Sequence, residues 1–201
     1  SSNKKERGTK MKKLSTGMIA LIVVIALLVV FSVMAVGGYN GMISTRENVN
    51  TAQASIDAQL MRRADLIPNL VETVKGLSAQ EQSVIDSVTE ARTQLAGAQS
   101  MEEKAAANDQ LSSALSRLLM VVENYPEIQS SQGYISLMDE LSGTENRITV
   151  ARTDYNEAVK EYNLKITRFP GSLFAGIFGF EKAEYFTAPD SAQDAPQVDF
   201  S

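Results

Sequence analysis

The sequence predicts an all-α protein: a single N-terminal transmembrane helix followed by an antiparallel up-and-down four-helix bundle with long first and last helices. Three observations carry this. Met18–Val36 runs nineteen residues without a charge. From Tyr39 to Phe169, apolar residues recur at three- and four-residue steps, interrupted only by Pro68 and Pro126. Short joints near 76–78, 97–100 and 125–127 leave room for tight helix–helix connections, which favour antiparallel neighbours.

The apolar run comes first. At about 1.5 Å per helical residue it reaches about 28 Å, close to a hydrocarbon core of about 30 Å. Residues 18–37 are therefore the anchor, with Met18, Ile19, Leu21, Ile22, Ile25, Leu27, Leu28 and Phe31 among its lipid-facing side chains. A cleaved secretory signal is the competing reading, with Ala35 and Gly37 as the small pair. Its apolar core is usually about 7–15 residues, so the length favours a retained span. No Cys follows to accept a lipid. Residues 1–17 form a basic head: Lys4, Lys5, Arg7, Lys10, Lys12 and Lys13 are opposed only by Glu6. Basic flanks stay inside, so the N-terminus is expected in the cytoplasm and the remainder outside it. Residues 1–10, ahead of a second potential start at Met11, are given no functional weight.

Composition narrows function. The net charge is −5, and +5 in residues 1–13 leaves −10 elsewhere. That acidity argues against nucleic acid, or an anionic lipid surface, as a partner of the outer domain as a whole. There is no Cys and no His, which removes the usual zinc sites and every His- or Cys-based triad. The glycines near Gly171–Gly179 lack the Lys-Ser/Thr ending of a phosphate loop. No catalytic residue, metal or other cofactor is expected. A pair of carboxylates acting on cell-wall sugars is the one enzyme chemistry left open.

The first bundle segment runs from about Asn40 to Lys75. Val49, Ala52, Ile56, Leu60, Ala64, Ile67, Val71 and Val74 share one stripe, with Arg62, Arg63 and Asp65 off it. Pro68 predicts a kink or a break, and Gly76 a C-cap. The second segment, Ser78 to about Ala96, opens on a Ser78/Glu81 capping-box pattern and repeats Val84, Val88, Ala91, Leu95. The third, Ser100 to Asn124, opens on Ser100/Glu103, carries Leu111, Leu115, Leu118 and Val122, and stops before Pro126. The fourth, about Ile128 to Arg168, carries Leu137, Leu141, Ile148, Ala151, Tyr155, Val159, Tyr162 and Ile166. Glu145 falls near that stripe, either as a solvated flank or as half of a buried pair with Arg147 or Arg152.

Four alternating helices return the chain to the membrane, and the extra length of the first and fourth predicts a two-helix stalk toward the bilayer. The bundle domain, residues 38–168, thus delivers an apolar segment, 169–186, next to the membrane. Its core, Leu173–Phe180, is too short to span. It either folds back on the bundle or contacts the membrane surface or another subunit, because so dense an exposed apolar patch usually has a partner. Phe169, Leu173, Phe174, Ile177, Phe178, Phe180, Tyr185 and Phe186 are the candidate interface. The acidic tail, 187–201, is expected to be disordered. Arg62, Arg63 and Asp65 form a candidate distal-tip contact for an anionic partner, or an exposed ion-pair cluster of little energetic weight.

Four blocks resemble the LemA family: SIDAQLMRRADLIPNLVETVKG (Ser55–Gly76), RLLMVVENYPEI (Arg117–Ile128), TENRITVARTDYNEAVKEYN (Thr144–Asn163) and FPGSLFAGIFGFEKAEYF (Phe169–Phe186). The resemblance covers roughly residues 38–186. It implies a bacterial protein, anchored in the cytoplasmic membrane near its N-terminus, with a helical-bundle outer domain and no established activity. It also implies an adaptor role beside a membrane metallopeptidase as an alternative. The chain departs from the family pattern at Ala54, where many members carry Trp, and at Ala64, where many carry Tyr. With no chemistry in the residues, the favoured reading is a non-enzymatic scaffold that forms homo-oligomers on the lipid bilayer, ahead of an adaptor or regulator of a quality-control peptidase.

Overall fold

The computed structural model describes residues 15–187; most of the basic head and, from residue 188, the acidic tail with its expected disorder lie outside the described residues. The described chain is helical, with no strand. α1 spans Thr16–Thr73, α2 Gln82–Gly97, α3 Met101–Val122, α4 Pro126–Gln129, α5 Gln132–Thr167 and α6 Gly171–Phe178.

α1 runs without interruption across the boundary at 37/38 for 58 residues, about 87 Å. Its two parts face different surroundings. The apolar window has a mean hydropathy of 3.3 with none of it buried, long and apolar enough to cross a membrane. From Met42 onward a single face turns inward: Met42, Val49, Ile56, Leu60, Ala64, Ile67 and Leu70 are buried.

Of the kink or break expected at Pro68, the break does not occur: the helix continues through the proline. Proline has no N–H to donate to the carbonyl four residues back, at Ala64. Arg92 of α2 supplies the donor instead, its Nε standing 3.0 Å from the Ala64 oxygen. Gly76 is not the left-handed cap expected of it; α1 ends at Thr73, and Gly179 is the positive-φ glycine among the described residues. The Ser78/Glu81 capping box also fails to form. Ser78 Oγ donates to Glu81 Oε2 at 3.0 Å, and the Tyr125 hydroxyl donates to the same oxygen. A 3-10 turn, Ala79–Glu81, therefore precedes α2. Its inward stripe is Ile85, Val88, Ala91 and Leu95, with Val84 only partly covered.

α3 follows its sequence closely. The Ser100 hydroxyl accepts from the Glu103 N–H at 3.1 Å, the Glu103 carboxylate accepts from the Ser100 N–H at 3.2 Å, and Leu111, Leu115, Leu118 and Val122 are buried. Pro126 takes the first position of α4, where its missing N–H costs nothing. The fourth long helix, α5, accordingly starts at Gln132 rather than near Ile128, capped by Ser131 Oγ, which accepts from the Tyr134 N–H.

α5 packs mainly on α1, α2 on α3 and on α1, and α6 on both α5 and α1. Side chains meet between α1 and α5 at Gly41 with Lys165, Gln59 with Arg147, and Arg63 with Glu145. The pair predicted for Glu145 with Arg147 or Arg152 is thus made with Arg63 of α1 instead.

Candidate functional site at the apolar end

α6 lies against the end of the apolar stretch of α1. Gly38 leaves room for α6 and Gly41 leaves room for Lys165 of α5. A β-carbon at Gly38 would stand 3.3 Å from the Phe174 ring, and one at Gly41 would stand 2.9 Å from Lys165 Cε. Phe174 meets Phe31 at 5.5 Å between ring centroids, and Tyr39 stands edge-on to Phe178 at 5.0 Å and Phe180 at 5.8 Å.

The eight aromatic and aliphatic residues predicted as an interface therefore divide. Phe174 is buried within the chain, and Phe186 is 1% exposed, so neither presents an outer surface. Phe174 packs on Gly38 and Phe31 of α1, whereas Phe186 is held farther along α5 by Asn156 and Arg152. Phe180 is half-buried. Phe169 at 84% exposed, Ile177 at 63%, Leu173, Phe178 and Tyr185 remain outward. Leu173 and Ile177, four residues apart, share the outer face of α6, and Phe169 is exposed in the turn that precedes it. Met18, Ile19, Leu21, Ile22, Ile25, Leu27, Leu28 and Phe31 are all exposed along α1. Apolar surface thus continues from the helix onto that face.

Beyond α6 the chain reverses. Gly179 takes φ 71°, and the Phe180 N–H donates to the Ala175 carbonyl at 3.0 Å. Residues 180–187 then run along α5 as an irregular strap. The Tyr162 hydroxyl donates to the Glu181 carbonyl at 2.7 Å, and the Tyr155 hydroxyl to that of Glu184 at 2.8 Å. Asn163 brackets Ala183, its Nδ2 donating to the carbonyl and its Oδ1 accepting from the N–H, both at 2.9 Å. Asn156 does the same to Phe186, at 3.1 and 2.8 Å. The spacing explains the repeat: seven helical residues rise about 10.5 Å and three extended ones about 10 Å. Two Tyr-Asn pairs seven apart therefore meet backbone groups three apart. The Arg152 guanidinium covers the Phe186 ring at 4.9 Å. Burial raises the pKa of both phenols, with nearby Glu184 and Asp57 adding to it at Tyr155; at Tyr162 Glu181 adds and Arg46 opposes. Both hydroxyls accordingly stay protonated and able to donate.

The predicted distal contact also divides. Arg62 and Asp65 are exposed, and Arg62 lies 4.0 Å from Glu140. Arg63 is 5% exposed and unavailable to an outside partner. Its Nη1 donates to Asn108 Oδ1 of α3 at 2.5 Å, and its Nη2 stands 2.8 Å from Glu145 Oε2, while Nε has no acceptor. Desolvation lowers the guanidinium pKa, against the pull of Glu145 and Asp109. No group of three or more acidic residues able to hold a metal occurs among the described residues.

Magnetosome protein MamQ 1 and magnetosome protein MamQ 2 of Paramagnetospirillum magneticum are each 30% identical to this chain, over 93% of it and 80% of the relative. Protein LemA of Metamycoplasma hominis is 23% identical over 70% of this chain and 64% of that protein. The sequence model of the LemA family matches residues 52–200, which include α2 to α6, the strap and residues 52–73 of α1. The chain belongs to the LemA family.

Proposed function

We propose that this protein is a non-enzymatic scaffold of the cytoplasmic membrane that self-associates through the outer face of α6. In this reading α1 crosses the bilayer once with its basic head in the cytoplasm, and residues 38–168 form an antiparallel up-and-down four-helix bundle outside. The pairing of Gly41 with Lys165 and of Arg63 with Glu145 supports that arrangement, since positions rise along α1 as they fall along α5. The observation that carries the function is the exposed apolar face of Leu173 and Ile177 on α6, with Phe169 exposed just before it, beside an apolar helix. Relatives named as magnetosome proteins support a place in a cellular assembly.

The test is the mass of the full-length, detergent-extracted protein by light scattering, beside that of the variant Leu173→Ser/Ile177→Ser. A multimer that falls apart in the variant is the expected result. A monomer in both overturns self-association. Recovery of one stoichiometric membrane peptidase after crosslinking would then replace the scaffold with an adaptor, for which residues 62 and 65 supply the exposed charges at the other end.

A further inference from the structure

A cleft of about 620 Å³ opens between α1 and the end of α5. Its membrane-side wall is apolar: Met34, Gly37, Gly38 and Phe174. Its upper rim carries Lys165 and Arg168, with Glu161 and Thr45 beside them. Among the described residues neither Lys165 nor Arg168 lies within ion-pair distance of a carboxylate. The rim therefore holds two cations against one anion. We propose that the cleft holds one phospholipid of the surrounding bilayer, its phosphate on Lys165 and Arg168 and an acyl chain along Met34, Gly38 and Phe174.

Four features converge on that occupant. The membrane-side wall is continuous with the exposed apolar stretch of α1, so at that depth the surrounding solvent is lipid. The rim falls where hydrocarbon gives way to headgroups, because Met34 is near the end of the charge-free run. Charge complementarity favours a phosphate, which a guanidinium and an ammonium bind by charge-assisted hydrogen bonds. The glycines shape the space. A β-carbon at Gly41 would displace Lys165, and one at Gly171 would lie 2.1 Å from the Lys165 carbonyl oxygen. Glu161 leaves room for a headgroup amine or hydroxyl next to the phosphate.

The inference rests on α1 crossing a bilayer and not on self-association. The experiment is native mass spectrometry of the full-length protein released from nanodiscs of phosphatidylethanolamine and phosphatidylglycerol. The comparison is with Lys165→Gln/Arg168→Gln and with Lys160→Gln, an exposed cation on α5 outside the cleft. The expected result is one retained phospholipid on the wild type and on Lys160→Gln, with the bound fraction falling at least about tenfold in the double variant. Added inorganic phosphate should not displace it, since the ion lacks the acyl chain. Equal retention by all three proteins, or displacement by phosphate alone, overturns the proposal. Helicity by circular dichroism shows that the double variant is folded. A protein that never enters the nanodisc fails the membrane reading instead, and light scattering reports self-association separately.

Discussion

Two of the polar contacts that tie α5 to the rest of the chain are built in opposite ways. At the strap, Tyr155, Asn156, Tyr162 and Asn163 are neutral, and each side chain finds a backbone partner. At Arg63 a charge is buried, with an amide from α3 and a half-exposed carboxylate from α5, and its Nε is left without an acceptor. The strap binds a segment at little desolvation cost. The Arg63 cluster accepts such a cost to fix how α1, α3 and α5 stand against one another. A satisfied neutral network adds local stability; a buried charge adds register, and its loss is felt by the whole fold.

Breaking the charged contact should therefore have the largest effect. Arg63→Ala leaves Asn108, itself 1% exposed, without a partner. It should lower the unfolding free energy of the detergent-solubilised protein in urea by about 2–3 kcal/mol. Arg63→Met/Asn108→Leu removes both polar groups and should recover most of that loss. If the double variant is no more stable than the single one, the cluster does not behave as a buried charge.

The strap should respond locally. Asn156→Ala and Asn163→Ala each delete a two-bond clamp, costing about 1–2 kcal/mol of docking. Lys182 directly precedes the Ala183 clamp, with its side chain exposed. Trypsin cleavage after Lys182 should accelerate about tenfold per variant, while the urea midpoint moves little, because cleavage tracks the opened population. A global loss of stability equal to that of Arg63→Ala would erase the distinction between the two contacts.

A third tie lies between these extremes. Arg92 is charged like Arg63, yet it donates to one backbone carbonyl, the oxygen that Pro68 leaves free. Arg92→Met should cost about 1 kcal/mol in urea. In Pro68→Ala the helix regains its own donor, so the same Arg92 change should cost much less. A double-mutant cycle with no coupling would separate Arg92 from the proline.

These contacts differ in how far the sequence discloses them. α3 is legible throughout, because its cap and stripe are set by residues three and four apart. The stripe of α1 is legible too, but Arg63 reads as surface because of its charge. Its spacing says otherwise: Met42, Val49, Ile56, Arg63 and Leu70 are seven apart, and all five are buried. Tyr155-Asn156 and Tyr162-Asn163 repeat at the same interval, the one signal that a segment docks along that face. What they hold could not be read, because the strap has no periodicity of its own. Gly76 and Ser78 mislead for a related reason: Tyr125, distant in sequence, captures Glu81 and resets the start of α2. Likewise, the apolar character of Phe174 and Phe186 is plain in the sequence, but only the packing of α1 and α5 decides that both face inward.

The smallest expected effect concerns pH, and it bears on the neutral contact alone. Tyr155 and Tyr162 have folded pKa values above the ordinary phenol value, burial being the main cause at each. A group whose folded pKa is raised contributes stability that is complete below its unfolded pKa, about 10, and is lost as pH rises through the higher folded value. The strap should thus hold across the physiological range and loosen only in strong alkali, where tyrosinate can no longer donate to the Glu181 and Glu184 carbonyls. Of the six tyrosines, Tyr134, Tyr155 and Tyr162 are shifted upward. The late part of the rise in tyrosinate absorbance of the full-length protein should shrink in Tyr155→Phe/Tyr162→Phe. An unchanged late part would mean that the two phenols are not enclosed by the strap, and the neutral contact would then rest on Asn156 and Asn163 alone.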